Sequence, residues 1–320
     1  MPARLSDDQI AAARFLVGPT ASGKSAVAMA IAAQSTRPVE IVALDSMTLY
    51  RGFDIGTAKP SADDRRRVPH HLIDVLGPIE ESTVAWYAER AAAAVDSIRS
   101  RHAIPLFVGG SGLFLRTLLR GLFDGPPADE PLRRRLAAEA GRDGNSSLHA
   151  RLRLVDPQAA DRLHPNDVRR VIRALEVYEL TGRPLSDWHR ESQPVGPPPR
   201  CIWLDGPRDW LHGRINMRTS QMLEAGWPEE VERLLRLDPP PSSVFWTVLG
   251  YPEVAAVVRG ELSPNEAEAQ IATLTRQFAK RQCTWFRNLK ECQAVSFDAS
   301  TDLHGLVVTV AERLAIPIAV

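Results

Sequence analysis

The sequence predicts an α/β fold, a parallel sheet flanked by helices and interrupted by a separate all-helical block. Three observations carry that expectation. Apolar runs short enough for buried strands recur at residues 15–17, 39–44, 104–108 and 201–204, with helical patterns between most of them, the alternation of a sheet covered on both faces. Residues 18–25, Gly-Pro-Thr-Ala-Ser-Gly-Lys-Ser, have the G-x-x-x-x-G-K-[ST] spacing of a phosphate-binding loop, placed where that motif belongs, between a strand and a helix. From residue 121 the texture changes to glycine, proline and acidic residues, and as far as residue 199 helices follow without a convincing strand.

A chain of 320 residues has room for two domains or for one domain with a large insertion. The expected division is a phosphate-loop core over 1–120 and 200–320, with a helical insertion over 121–199. No stretch approaches the ~18 consecutive apolar residues of a membrane span, and Met1–Ile10 lacks the pattern of a signal peptide, so a cytoplasmic protein without membrane attachment is expected. Cys201, Cys283 and Cys292 show neither C-x-x-C spacing nor nearby histidines, which argues against a zinc site and a disulfide framework and makes reduced thiols the expectation. The 39 basic and 39 acidic residues cancel, so any nucleic-acid surface must come from local sorting of charge.

Taken in order, the elements place the chemistry. In the phosphate loop, Gly18 and Gly23 let the backbone of Thr20, Ala21 and Ser22 curl around an anion; Lys24 reaches the phosphates and the Ser25 hydroxyl can hold magnesium. Whether the anion is a nucleotide or another diphosphate stays open at this point. A helix over Ala26–Gln34 and a strand over Val39–Leu44 follow, delivering Asp45 at the strand's carboxyl end, where ligands gather in open α/β sheets. Ser46–Pro60 has no period and reads as an active-site loop. A helix over Val84–Ser100 and a strand over Ile104–Val108 lead through Gly109-Gly110-Ser111-Gly112 into a helix over Leu113–Leu119. In the insertion the expected helices are Leu132–Ala140, Ser147–Val155 and Asp167–Leu180, the last capped by Asn166 and ended by Gly182. The proline-rich Pro194–Arg200 leads out to a strand over Cys201–Leu204. Helices over Leu211–Ala225, Glu229–Leu237, Pro252–Arg259 and Pro264–Leu289 and a strand over Ala294–Phe297 complete the chain.

Four groups carry chemical possibilities. Asp45 can hold a metal through water or accept a proton from a nucleophile. Ser111 offers a hydroxyl beside glycines that let backbone approach a ligand, although a tight strand-to-helix turn uses the same residues without one. Arg214 and Arg218 are four apart and share a helix face, so their forks can grip phosphate oxygens. In the last long helix, Arg276, Lys280, Arg287 and Lys290 form one stripe opposite Leu274, Phe278, Trp285 and Leu289. With Arg281 they make five cations and no carboxylate before Glu291, the footprint of phosphate-backbone contacts. Arg169, Arg170 and Arg173 add a basic group in the insertion.

These residues resemble one family, the tRNA dimethylallyltransferases (tRNA isopentenyltransferases). The matching motifs are the loop at 18–25, Asp45-Ser46, Tyr50-Arg51-Gly52, Asp54-Ile55-Gly56-Thr57-Ala58-Lys59-Pro60, Pro69-His70-His71-Leu72-Ile73-Asp74, Val108-Gly109-Gly110, His164-Pro165-Asn166-Asp167, Arg173-Ala174-Leu175-Glu176, Gly250-Tyr251, and Thr275-Arg276-Gln277 through Lys280-Arg281-Gln282 to Thr284-Trp285. The resemblance implies a P-loop NTPase-like core and transfer of a dimethylallyl group from dimethylallyl diphosphate to N6 of the adenosine 3′-adjacent to the anticodon. It implies that the loop holds the isoprenoid diphosphate, with Mg2+ at Ser25, that Lys24, Arg214, Arg218 and Ser111 serve the reaction, and that Asp45 takes the amine proton. It further implies that tRNA, through its anticodon stem-loop, meets Asp45, Ser46, Met47, Thr48, Ser111, Arg133, Asn166, Asp167, Val168, Arg169, Arg170, Gly250, Tyr251, Arg276, Lys280, Arg281 and Arg287, and that the enzyme is a monomer. Four positions depart from the family pattern: Ser111 stands for the usual threonine, Thr48 for glutamine, Pro252 for a cation, and Thr247 for another basic residue.

The competing expectations are a small-molecule P-loop kinase, an isopentenyltransferase acting on adenine nucleotide, and an RNA-binding ATPase without transferase chemistry. The first two need neither the basic helix nor the insertion. The third lacks a second acidic strand end resembling a hydrolysis motif.

Overall fold

The computed structural model describes residues 4–122, 125–191 and 197–319. In chain order its elements are α1 (Asp7–Ala12), β1 (Arg14–Val17), α2 (Lys24–Gln34), β2 (Val39–Leu44), α3 (Ala62–Arg67), β3 (His70–His71), α4 (Val84–Ser100), β4 (Ile104–Gly109) and α5 (Gly112–Arg120). Then come α6 (Glu130–Asp143), α7 (Asn145–Val155), α8 (Pro157–Arg162), α9 (Val168–Thr181) and α10 (Leu185–Glu191). The remainder is β5 (Arg200–Asp205), α11 (Arg208–Glu224), α12 (Trp227–Leu235), a 3-10 turn at Ser243–Thr247, α13 (Tyr251–Val258), α14 (Pro264–Arg287), β6 (Gln293–Ser296) and α15 (Leu303–Leu314). None of the described helices is long and apolar enough to cross a membrane.

The six strands form one parallel sheet in the order β3-β2-β4-β1-β5-β6. Its central strands β1, β2, β4 and β5 are largely apolar on both faces because helices cover both. Phe15, Val17, Val42, Leu44 and Phe107 point into one core with α4, α5 and α14, while Leu16, Ile41, Leu106, Val108, Ile202 and Leu204 point into a second with α2 and α15. The core strands need no polar alternation, so a run such as Val-Glu-Ile-Val-Ala-Leu reads almost continuously apolar.

The chain divides into two compact units, one of residues 120–195 and the other of residues 3–119 and 196–320. The smaller unit is helical throughout its described residues and closes on Leu136, Leu148, Leu152, Val171, Leu175 and Val177. Glu176 is fully buried there and receives Arg133 Nε at 2.9 Å and Arg173 Nη1 at 2.5 Å. Burial alone would raise this carboxyl, but the hydrogen bonds from Arg133 and Arg173 outweigh it and hold the group below its ordinary range. The exit Pro194–Gly196 lies outside the described residues.

Several expectations need correction. Helix α9 starts at Val168, with Asp167 at the cap position and no side-chain cap bond, so Asn166 does not cap it. Asn166 instead accepts from Asn145 Nδ2 at 3.3 Å, and its own amide donates to His164 Nδ1 at 3.1 Å. Gly182 does end the helix, in the left-handed conformation. Cys201 and Cys292 are joined by a disulfide, Cα atoms 4.7 Å apart, where reduced thiols were expected. The β5–β6 pairing brings together residues 91 apart, which spacing along the chain does not show. The short elements α1, α3, β3, α8, α10 and α15 were not anticipated.

Candidate active site

Three strand ends create the site. Val17 lies beside Gly109, and Gly109 beside Leu44, so the loop after β1, Asp45 after β2 and Ser111 after β4 emerge at one edge of the sheet. Glycine is required at this edge: a Cβ on Gly109 would run into the Leu44 carbonyl, and one on Gly110 into the Gln282 amide. The Ser111 amide donates to Leu44 O at 3.1 Å, tying the β4 turn to the end of β2.

The loop at 18–25 adopts the anticipated curl. Ala21 (φ 63°) and Gly23 (φ 86°) are both left-handed, the conformation that curves successive amides into an anion-binding nest at the start of α2. Ser22 is buried behind it with no partner for its hydroxyl. Three cations converge on the loop. Lys24 Nζ donates to Pro19 O at 3.1 Å, Arg214 Nε to Ala21 O at 3.0 Å, and Arg218 Nη1 to Thr20 Oγ1 at 3.3 Å.

Burial and crowding lower the proton affinity of two of these cations. Burial, together with the Arg218 charge, pulls Lys24 down to about 8, against a smaller opposite pull from Asp45. Arg218 is likewise lowered by burial and by Arg214, with Asp45 again opposing. The site therefore holds positive charge that lacks a full counterion within the protein.

Just after β2, Asp45 Oδ1 accepts the Met47 amide at 2.8 Å, which fixes the carboxylate at the start of the following loop. Thr48 is buried and its hydroxyl turns back toward Asp45 O at 3.4 Å. A cavity of about 1700 Å³ is bordered by Thr20, Ala21, Gly23, Lys24 and Ser25, by Asp45, Ser46, Met47 and Thr48, and by Ser111, Arg214 and Arg218. Its remaining wall includes the apolar Met217, Met222, Leu249, Ile271 and Trp285. The structure thus brings together all five residues expected to serve catalysis.

Helix α14 supplies another wall, but its faces differ from the expected ones. It buries Ala267, Ile271, Ala272, Ala279, Gln282 and Phe286. Small alanines let the helix approach the core closely, while Phe278, which is 39% exposed, and Trp285 border the cavity with Arg281. Lys280, Arg281 and Arg287 are exposed as the stripe requires. Arg276 is half-buried and donates to Asn216 Oδ1 at 2.7 Å, and Lys290 falls beyond the helix end.

Some expected RNA contacts are occupied elsewhere. Tyr251 is fully buried, and its hydroxyl donates to Glu230 Oε1 at 2.7 Å. Gly250 is left-handed (φ 89°), and a Cβ there would strike Trp227. These two residues support the core, because the buried Glu230 also accepts the amides of Asp54 at 3.0 Å and Ile55 at 2.7 Å. Arg133 is committed to Glu176. In the helical unit, Arg169 and Arg170 are exposed, with Arg170 3.2 Å from Asp167, and Val168 is half-buried.

Sequence reasoning gave no role to two residues that matter here, Glu230 and Gln282. For Gln282 a signal existed: it is the polar member of the α14 face that packs on the core. Its Oε1 accepts the Thr20 amide at 2.8 Å and its Nε2 donates to Gly110 O at 2.9 Å.

A parallel sheet bearing a phosphate loop, with cations gathered on that loop and an acid at a neighbouring strand end, defines a protein of the P-loop NTPase-like class. A family model described as IPP transferase matches residues 48–289. A tRNA dimethylallyltransferase of Geobacter metallireducens is 45% identical over 287 residues, 89% of this chain and 92% of that protein. Among solved structures, a tRNA isopentenylpyrophosphate transferase of Bacillus halodurans is 34% identical with a TM-score of 0.66, covering 94% of this chain and 96% of that one. A eukaryotic dimethylallyltransferase acting on tRNA gives a TM-score of 0.74 at 26% identity, covering 94% of this chain and 77% of that one. The chain belongs to the IPP transferase family, the tRNA dimethylallyltransferases.

Proposed function

We infer that the protein transfers the dimethylallyl group of dimethylallyl diphosphate to N6 of the adenosine 3′-adjacent to the anticodon of tRNA, releasing diphosphate. The observation that supports this most is the gathering of Lys24, Arg214, Arg218 and the carboxylate of Asp45 around one cavity that also has an apolar wall. A diphosphate needs the first feature, a five-carbon chain the second, and an incoming amine the acid.

An adenine amine is a weak nucleophile, because its lone pair is delocalised into the ring. The barrier therefore falls mainly on breaking the allylic carbon–oxygen bond, whose electron pair leaves with the diphosphate. Lys24, Arg218, Arg214 and the amides of Ala21, Gly23, Lys24 and Ser25 stabilise that charge as it develops. The N6 lone pair forms the new carbon–nitrogen bond, and the proton it displaces passes to Asp45, with Ser111 holding the amine beside it. The adenosine leaves the anticodon-loop stack to enter the cavity. Lys280, Arg281 and Arg287, with Arg169 and Arg170 of the helical insertion, meet the RNA backbone. On this reading the enzyme works as a cytoplasmic monomer, with residues 121–199 gripping the tRNA.

The residues present fit magnesium. Ser25 offers a hard hydroxyl oxygen at the cavity, and the described residues contain no cluster of three His, Cys, Asp or Glu side chains to hold a metal alone. Ser25 would hold the ion together with diphosphate oxygens and water. When bound, the ion neutralises charge on the leaving group.

The test is incubation with labelled dimethylallyl diphosphate, magnesium and undermodified tRNA. Label in the RNA is expected; ATP turnover without incorporation would overturn the reading in favour of an ATPase or kinase.

A further inference from the structure

We propose that Gln282 is a positioning residue, whose single amide sets the spacing between the diphosphate loop and the Ser111 turn and fastens both to helix α14. The proposal rests on the transferase reading above and assigns a further residue to that reaction. Gln282 is 7% exposed, and both ends of its amide are used in one orientation. The carbonyl oxygen accepts from Thr20 N at 2.8 Å and the NH2 donates to Gly110 O at 2.9 Å. Among side chains of this length, only an amide presents one acceptor and one donor at the same fork without first taking up a proton.

The two backbone groups it joins belong to separate parts of the chemistry. Thr20 is in the loop whose side chain meets Arg218, and Gly110 precedes Ser111. Between them the backbones come close: a Cβ on Gly110 would lie 3.3 Å from Gly18 O. Without Gln282, a part-buried amide and a buried carbonyl would lose their partner at the junction, and each would turn to find another. That turning moves the loop that holds the leaving group relative to the residue that holds the nucleophile, and rates are steep in such misplacement. Gln282 also carries the register further, because Lys280 and Arg281, exposed on the same helix, stand immediately before it. RNA seated on those cations is thereby indexed to the diphosphate.

The first test is Gln282→Leu, with single-turnover transfer, inorganic diphosphate affinity and tRNA affinity measured separately. Loss of two hydrogen bonds predicts about 10–100-fold slower transfer, while the tRNA dissociation constant stays within about twofold. Equal loss of tRNA binding, or transfer at the native rate, overturns the proposal. The second test is Gln282→Glu, followed from pH 8 to pH 5.5. An ionised carboxylate accepts from Thr20 but repels the Gly110 carbonyl; the protonated acid donates to Gly110 and restores both bonds. The ratio of variant to native rate should therefore climb toward one as pH falls. Lys24, Asp45, Arg214, Arg218 and Arg281 line the same cavity as position 282 and are unchanged in the variant, so the ratio to the native rate divides out their common contribution to the pH profile. A ratio independent of pH overturns the proposal, and this variant decides the matter if leucine prevents folding. Failure of the native protein to transfer any label would instead remove the function on which the proposal rests.

Discussion

Lys24 gives the most direct quantitative test of the site. Its ammonium is buried and lies in the field of Arg218, which together pull it down to about 8 from the ordinary 10.5 of lysine. A bound diphosphate supplies the missing negative charge and raises that value again, so binding above pH 7 must take up protons. If only the charged form binds well, the apparent dissociation constant scales as one plus ten to the power of pH minus 8, about a tenfold weakening between pH 7 and 9 for a lysine at that pKa. The ligand is already ionised across this range and adds little slope of its own. Titration calorimetry with dimethylallyl diphosphate in two buffers of different ionisation enthalpy reads both quantities, and near pH 8 uptake of about half a proton per ligand is expected. Lys24→Arg, whose charge does not titrate here, should flatten the profile. An affinity constant from pH 7 to 9.5, or the same slope in Lys24→Arg, would refute the reasoning. The sign for stability is the reverse: the unfolded chain holds more protons between 8 and 10.5, so the ligand-free fold gains stability from this group as pH rises through that window.

Asp45→Asn should slow transfer about 10²–10⁴-fold while leaving tRNA and diphosphate dissociation constants within twofold; a loss below tenfold would remove Asp45 as the proton acceptor. Replacing Lys280, Arg281 and Arg287 by glutamine should reduce the slope of log affinity against log salt by about 2 to 3, and an unchanged slope would return that face to solvent. Tyr251→Phe and Glu230→Gln should destabilise the fold by about 1–3 and about 3 kcal/mol in urea denaturation, because the first takes a donor from the buried Glu230 carboxyl and the second weakens the acceptor of the Tyr251 hydroxyl and the Asp54 and Ile55 amides. Native stability in Glu230→Gln would mean that Asp54, Ile55 and Tyr251 do not depend on it.

Legibility followed the range of the interactions. The phosphate loop, Asp45 and Gly109-Gly110-Ser111 could be read because each is a local signature at a strand end, and the parallel register then places them together. The helix boundaries of α4 and the strand β2 were readable for the same reason, being set by short-range pattern. Residues whose roles depend on a distant partner were not readable. Arg133 looks like any basic residue until Glu176 is seen 43 positions away, and the Cys201–Cys292 pairing depends on two strands meeting across 91 residues. Helix α14 misled through composition: large apolar residues suggested the buried face, whereas alanines make the close contact and Phe278 and Trp285 are left for the cavity.

The motifs that make the family resemblance specific largely do structural tasks around the site. The Lys59 side chain is 2% exposed and binds Asp54 at 2.6 Å, Asp74 at 2.6 Å and Tyr50 O at 2.7 Å. Glu230, held by Tyr251, takes the amides of Asp54 and Ile55 from the other side. The Ser46–Pro60 loop is therefore pinned at Tyr50, Asp54 and Ile55 before any substrate arrives. With that wall fixed, Lys24 and Arg218 stay buried in the ligand-free protein, and burial, with the Arg218 charge acting on Lys24 and the Arg214 charge on Arg218, lowers their proton affinities. On the proposed reading, that is the arrangement a leaving diphosphate requires: positive charge fixed in advance, with no reorganisation left to be done as the carbon–oxygen bond breaks. The phosphate loop supplies the cradle, but it is Glu230, Lys59 and Gln282, all outside the loop, that keep it and the facing residues in place.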